Sequence, residues 1–511
     1  MKKGATAGRS DRLSTGVEGL DPLLSGGFPK GSMVVVAGRP GTGKTLLASQ
    51  FLFEGSTHGE SSLYVSFAET REQFLANSEK FGLSFGRLIE AESFSFLDLT
   101  TVAPEGISDA LDLIVEKVES AKVHRLVIDS FTSLAQAFDK VIDARIVLHV
   151  ILGKLVNGLG CTTMVLTETP FGVERIGLGI EEFVADGIIF LDVIPQKGTL
   201  RRTIDIRKMR GTEITLRPST YQITKDGMTV FPSILPQPRV SMLNRKVRTG
   251  IQGFDELVDG GLMQRSVTGL AGAAGTGKTT FGLGFVYSGA DKFGETGLFV
   301  SFNEPADQIR LVANRLGMSR IEALEKERKL KIEAVLAESY TPEAMALRLQ
   351  KLLEEVKPER VVFDDVTALE RIATEDEFYR LLNAIVNLAK GRGATVIASI
   401  TTDEIAGTSI TGKSLDTVLD GIIMLRYVEI DGKMNRSMIV LKMRAVEHDP
   451  SIREFIIAKG GVRVKSVLHG YSGFFSGEAK RMIREFEDEE RRIISGQRKT
   501  QLERRKRSRR D

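Results

Sequence analysis

Two stretches 234 residues apart read almost alike, and that displacement constrains the chain more than any other feature. Gly38-Arg39-Pro40-Gly41-Thr42-Gly43-Lys44-Thr45 and Gly272-Ala273-Ala274-Gly275-Thr276-Gly277-Lys278-Thr279 both fit G-x-x-x-x-G-K-[ST]. The repetition extends far beyond the two loops. T-G-V-E-G-L-D at 15–21 returns as T-G-I-Q-G-F-D at 249–255, and L-Y-V-S-F-A-E at 63–69 as L-F-V-S-F-N-E at 298–304. R-L-V-I-D at 125–129 returns as R-V-V-F-D at 360–364, and K-M-R at 208–210 as K-M-R at 442–444. These displacements are 234 or 235 throughout. Repeats of roughly 20–50 residues build solenoids, so a period this long means a duplicated domain.

Each loop is a phosphate site by construction. Glycines let successive backbone N–H groups turn inward on an anion. The helix that follows adds its positive end, and the lysine adds a mobile cation. On this pattern Gly38, Gly41, Thr42, Gly43 and Lys44 would cradle a nucleoside triphosphate, as would Gly272, Gly275, Thr276, Gly277 and Lys278. The hydroxyls of Thr45 and Thr279 would ligate Mg²⁺. The apolar β-branched run 33–37 precedes the first loop and a helically spaced run, 46–52, follows it, as a buried parallel strand and its helix require.

In each copy, short apolar runs alternate with helical patterns, which is how a parallel sheet flanked by helices is written. The runs of the first copy fall at 34–37, 62–67, 125–128, 162–167 and 187–192, with helices over 71–81 and 106–121. Further β-type segments lie at 201–208, 219–223 and 228–231. Pro232, Pro236 and Pro238 then break the pattern. The expected organisation is an arm at 1–9, a first domain at 10–231 and a linker at 232–247. A second domain at 248–476 and a tail at 477–511 complete the α/β chain.

Composition excludes several classes. A single cysteine, Cys161, permits no internal disulfide, and no apolar run approaches the roughly 20 residues a membrane helix needs. A soluble, cytoplasmic protein is expected. The net charge of +3 hides an asymmetry: from Gly477 onward 13 Lys+Arg oppose 8 Asp+Glu, leaving 57 basic and 59 acidic residues elsewhere. The body is therefore slightly acidic and carries no basic loop pair for DNA. The stretch 478–494 reads as an amphipathic helix, and 498–510 holds eight Lys+Arg against one Glu. Such a run is a solvated tail first, a regulatory partner's docking segment second and a nucleic-acid contact third.

Asp129 and Asp364 close apolar strands at the sheet end where ligands gather, and each could hold the Mg²⁺ of its site. Glu69 and Glu304 close the runs at 63–67 and 298–302, positions suited to polarising an attacking water. Lys208 and Arg210, like Lys442 and Arg444, alternate so that both cations leave one face of a strand, an arginine-finger arrangement.

Together the T-G-[VI]-x-G-[LF]-D opening, the loop, the strand-end glutamate, the aspartate strand and K-M-R resemble the KaiC family of RecA-like ATPases. Pro170-Phe171-Gly172-Val173-Glu174, Glu181-Glu182-Phe183, His448-Asp449 and Ile452-Arg453-Glu454-Phe455 extend the likeness to its double-domain members, over about residues 10–476. The resemblance implies a RecA-like fold, stacked hexameric rings and ATP bound between subunits. It also implies that Lys208/Arg210 and Lys442/Arg444 act on the adjacent protomer's nucleotide. In the family the first ring mainly hydrolyses ATP and the second phosphorylates itself on a serine-threonine pair.

Two departures matter. Clock members carry two glutamates at the strand end, where this chain has Ala68-Glu69 and Asn303-Glu304. The phosphorylated pair falls on Asp416-Thr417, leaving Thr417 as the acceptor and a permanent negative charge beside it. The rival readings are a RecA/DnaB-like DNA-dependent motor and a nucleotide-sensing scaffold with little turnover.

Overall fold

The computed structural model describes residues 11–101, 106–135, 146, 155–156, 158–169, 184–196, 199–214, 217–233, 240–402, 418–430, 433–467, 471–472 and 480–481. Two compact units meet between Ser233 and Ile234.

In the first unit nine strands form one sheet. Six run parallel, in the order Phe94–Asp98, Ser62–Ser66, Arg125–Asp129, Thr162–Glu168, Met33–Gly38 and Gly187–Gln196. Thr199–Met209, Ser219–Thr224 and Gly227–Phe231 then continue the sheet antiparallel. Residues of one strand alternate between two cores: Met33, Val35 and Ala37 pack on one face, Val34 and Val36 on the other. A sheet buried on both faces explains why its strands are continuous apolar runs. Phe94–Asp98 is the exception. Only Phe94 of its five residues is buried, so no apolar run announces this edge strand.

The second unit repeats the plan. Leu330–Ala334, Gly297–Ser301, Arg360–Asp364, Thr395–Thr401, Val267–Gly272 and Gly421–Ile430 are parallel, followed by antiparallel Lys433–Met443, Arg453–Ala458 and Gly461–Val467. Leu243–Val247, inside the stretch expected as linker, is a strand paired with Leu262–Gln264. Its residues look like linker because four of the five are exposed.

The T-G-x-x-G-x-D signature is a clasp. Asp21 Oδ1 accepts from the Thr15 amide and hydroxyl at 2.8 and 2.6 Å, and Asp255 does the same for Thr249 at identical distances. A Cβ on Gly19 would fall 1.9 Å from the Val230 carbonyl oxygen, and Gly19 sits at φ +83°. The clasp thus closes against the last strand of its own unit. Behind it, Arg125 and Arg360 open their strands yet are 3% and 1% exposed. Each is stabilised in the interior by a carboxylate (Glu60, Glu295) and by backbone carbonyls, which satisfies a buried guanidinium.

Lys480–Arg481 pairs antiparallel with Tyr471–Ser472, so these two residues form a strand rather than the expected start of the 478–494 helix. The rest of that helix, the basic run, the arm, 170–174, 181–183, Asp416 and Thr417 lie outside the described residues. Among the described residues no helix is long and apolar enough to cross a membrane.

Candidate functional sites

Each phosphate loop joins a buried strand to a helix that starts at its lysine, Lys44–Thr57 in one unit and Lys278–Lys292 in the other. Gly43 and Gly277 hold φ of 95° and 110°, conformations closed to residues with a Cβ. At Gly38 and Gly272 a Cβ would come 2.5 Å from the carbonyl oxygen of Leu191 or Leu425 on the neighbouring strand. Each lysine lies against its own loop. Lys44 Nζ donates to the Gly38 and Arg39 carbonyls at 2.9 and 3.1 Å, and Lys278 Nζ to Gly272 and Ala273 at 2.8 and 3.1 Å. Burial pulls both ammonium pKa values down, against nearby carboxylates.

The expected metal ligands converge. Thr45 Oγ1 donates to Asp129 Oδ2 at 2.9 Å, and Thr279 Oγ1 to Asp364 Oδ2 at 2.8 Å. A hydroxyl and a carboxylate meeting beside a phosphate loop are the hard oxygen donors Mg²⁺ takes, so these residues fit that ion.

What supports the two aspartates differs, and sequence reasoning missed it. Tyr64 Oη donates to Asp129 Oδ2 at 2.5 Å from the strand on one side. The matching residue is Phe299, and Asp364 instead accepts from Ser399 Oγ on the opposite neighbouring strand. Burial drives the Tyr64 hydroxyl well above its ordinary pKa, with Asp129 adding to the effect. Burial also raises Asp364, against hydrogen bonds from Ser399 and Thr279. Reading position 64 against position 299 would have exposed the lost hydroxyl.

The glutamates differ as well. Glu69 lies with Gly41, Gly43, Lys44 and Thr45 around one cavity of about 380 Å³, walled by Phe74, Phe81 and Ile223. Its Oε1 is buried without a hydrogen-bond partner among the described residues. Burial, then Asp129, pushes its carboxyl above the usual range, while the nearby polar groups of Asn77 and Tyr64 oppose the shift. Glu304 is exposed, and its amide is held by Ser301 Oγ at 2.9 Å.

K-M-R lies at the other end of the sheet. Arg210 Nη1 meets Asp186 Oδ1 at 2.9 Å, while Asp186 Oδ2 accepts from the Met33 amide at the start of the loop strand. Lys208 pairs with Ile188 in the same region. From Met33 to Gly38 is five residue steps, ~17 Å at the rise of a strand, which sets Arg210 far from its own loop, while Lys208, in register through Ile188 with Val35, lies part-way along the same strand. In the second unit Lys442 Nζ bonds the Leu419 carbonyl at 3.2 Å and Arg444 Nη1 lies 3.6 Å from Asp420. Asp420 likewise accepts from the Val267 amide, at the start of that unit's loop strand.

Comparison with known proteins agrees with this geometry. The family model described as "ATPase: KaiC" matches twice, over residues 13–234 and 247–468. The circadian clock oscillator protein KaiC of Parathermosynechococcus lividus is 33% identical over 493 residues, covering 94% of this chain and 91% of its own length. The proteins of the same name from Acaryochloris marina and Synechococcus elongatus are 32% and 31% identical, covering 92% and 95% of this chain and the same shares of their own. Two complete loop–aspartate sites on two RecA-like sheets, matched over nearly the full length, make this chain a member of the KaiC family of ATPases.

Proposed function

We propose that both domains bind Mg²⁺·ATP and hydrolyse it, each site being completed by a neighbouring copy of the chain in a hexameric double ring. The position of K-M-R carries this reading. Two exposed arginines, Arg210 and Arg444, stand at the sheet end opposite their own loops, which supports their acting on a phosphate held by a second subunit. In the first site the Gly38–Thr45 backbone holds the phosphates and Lys44 neutralises the outer ones. Thr45 and Asp129 would hold Mg²⁺, which neutralises phosphate charge when bound. Glu69 takes a proton from a water as its oxygen bonds the γ-phosphorus and the bond to the β–γ bridging oxygen breaks, giving ADP and phosphate. Lys208 and Arg210 of a neighbour stabilise the charge that develops. Gly272–Thr279, Asp364, Glu304, Lys442 and Arg444 take the same parts in the second site.

The relatives' names support a clock-type signalling role, which in this reading is driven by slow ATP turnover. In the second domain Thr417 is the phosphoacceptor of this reading. Labelling from γ-labelled ATP should be lost in Thr417→Ala; equal labelling of both proteins removes that site. Regulatory partners would engage the basic tail, and a free buried Cys161 suits a reducing cytoplasm.

Subunit mixing tests the ring. Arg444→Ala and Lys278→Ala proteins, each also carrying Lys44→Ala, should be nearly inactive alone. Mixed, they should regain turnover at interfaces pairing an intact Lys278 with an intact Arg444. No recovery in a mixture that still sizes as a hexamer with ATP would sink the intersubunit reading.

A further inference from the structure

The two sites differ at a pair of positions at the ends of neighbouring strands. Glu168 and Thr401 both end the strand beside the loop strand, and each is in register with the first loop glycine, Gly38↔Glu168 and Gly272↔Thr401. On the adjoining strand the residue after the metal aspartate is Ser130 in one copy and Asp365 in the other. The first copy thus pairs serine with glutamate, and the second aspartate with threonine. One carboxylate is present each time, carried by opposite members of the pair.

The contacts follow the exchange. Asp365 Oδ1 accepts from the Thr367 amide at 3.1 Å, the Thr367 hydroxyl at 2.6 Å and the Thr401 amide at 3.3 Å. Its Oδ2 accepts from Thr401 Oγ1. In the first copy the Glu168 amide is taken by Thr132 Oγ1 at 2.8 Å, and Ser130 turns to Ser133 at 2.9 Å. The strand-end backbone is tied down both ways, so anchoring alone does not explain why the charge is kept. Glu168 is in register with the glycine whose carbonyl receives Lys44, and Asp365 holds Thr401, which is in register with the glycine whose carbonyl receives Lys278. Both carboxylates favour the charged form of their loop lysine, against the effect of burial.

We infer that Glu168 and Asp365 are equivalent positioning residues: each shares its loop lysine with the nucleotide and thereby weakens the ground-state hold on the γ-phosphate. Binding energy expended equally on substrate and transition state does not speed turnover. A negative charge placed here opposes a triphosphate more than a diphosphate. The exchange of strands preserves that charge while changing its carrier. The inference rests on each loop binding ATP, as proposed above.

The test reads the ratio of ATP to ADP affinity with fluorescent nucleotides on the full chain. Lys44→Ala isolates the second site and Lys278→Ala the first. Asp365→Asn keeps the hydrogen bonds to Thr367 and removes the charge; it should shift the ratio toward ATP about tenfold. Asp365→Ser/Thr401→Glu, which installs the first copy's arrangement, should return the ratio to within about twofold of its parent. Glu168→Gln, on an exposed side chain, should shift the first site in the same direction, so the inference stays testable if Asp365 variants fold poorly. An unmoved ratio in folded Asp365→Asn and Glu168→Gln, or no return in the exchange variant, overturns it. A Lys44→Ala protein that binds no nucleotide would overturn the functional reading of the second site instead, with the Glu168→Gln arm deciding the charge.

Discussion

Set side by side, the two nucleotide sites agree wherever backbone must meet phosphate and differ wherever side chains support it. The lysine-to-carbonyl and threonine-to-aspartate distances match within 0.1 Å between copies. The hydroxyl on the metal aspartate, the carboxylate near the lysine and the burial of the strand-end glutamate all differ. A loop that must present N–H groups to an anion has few geometries. A carboxylate needing one donor accepts it from either neighbouring strand, so that requirement has several solutions.

The largest expected effect divides the two activities. Lys44→Ala and Lys278→Ala should each cut turnover at their own site about 100-fold or more, and the double variant should leave none. If Lys44→Ala alone abolished all phosphate release while ATP still bound at the second loop, the second domain would be a sensor and the parallel would fail.

Next come the supporting hydroxyls. Tyr64→Phe and Ser399→Ala each remove a hydrogen bond to a charged group, about 1.5–3 kcal/mol. Each should lower turnover about tenfold at its own site only, with a raised Mg²⁺ requirement. A loss that crosses between domains would mean the donors do not act locally.

A smaller effect lies in pH. Glu69 must be ionised to accept a proton, and burial raises its pKa. In a Lys278→Ala protein, turnover should therefore fall as pH is lowered and begin falling above the usual carboxylate range near ~4.3. A pH profile of first-site activity flat down to that range would remove Glu69 as base.

The smallest is a reporter. Cys161 is buried with its thiol pushed up to about 12, and the matching residue of the second unit is Ala394. Thiol labelling at pH 8 should run about a thousandfold slower than for an ordinary thiol. It should accelerate only when the first unit opens, and ATP should slow it in Lys278→Ala but not in Lys44→Ala. Rapid labelling of the folded protein would contradict that burial.

Much of the fold was legible because its constraints are local. Glycines with positive φ, β-branched runs and proline breaks act through neighbouring residues, and the duplication let each weak signal be read twice. Phe94–Asp98 was not legible, since an edge strand with one buried residue lacks a continuous apolar run. Leu243–Val247 was hidden in the same way, its pairing to Leu262–Gln264 having no counterpart in its own composition.

By itself the sequence determined two phosphate loops, two aspartates, two glutamates and two K-M-R segments in a repeating register, and hence two RecA-like domains. Only the tertiary structure decided which of them share a site. It brought Thr45 to Asp129 and Thr279 to Asp364, and it carried K-M-R to the far end of the sheet. It also showed that Tyr64 and Ser399 serve the matching aspartates from different strands. The physical reason is that sequence spacing runs along a chain, whereas hydrogen bonds and Coulomb attraction act across strands, and lateral register is known only once the sheet has formed.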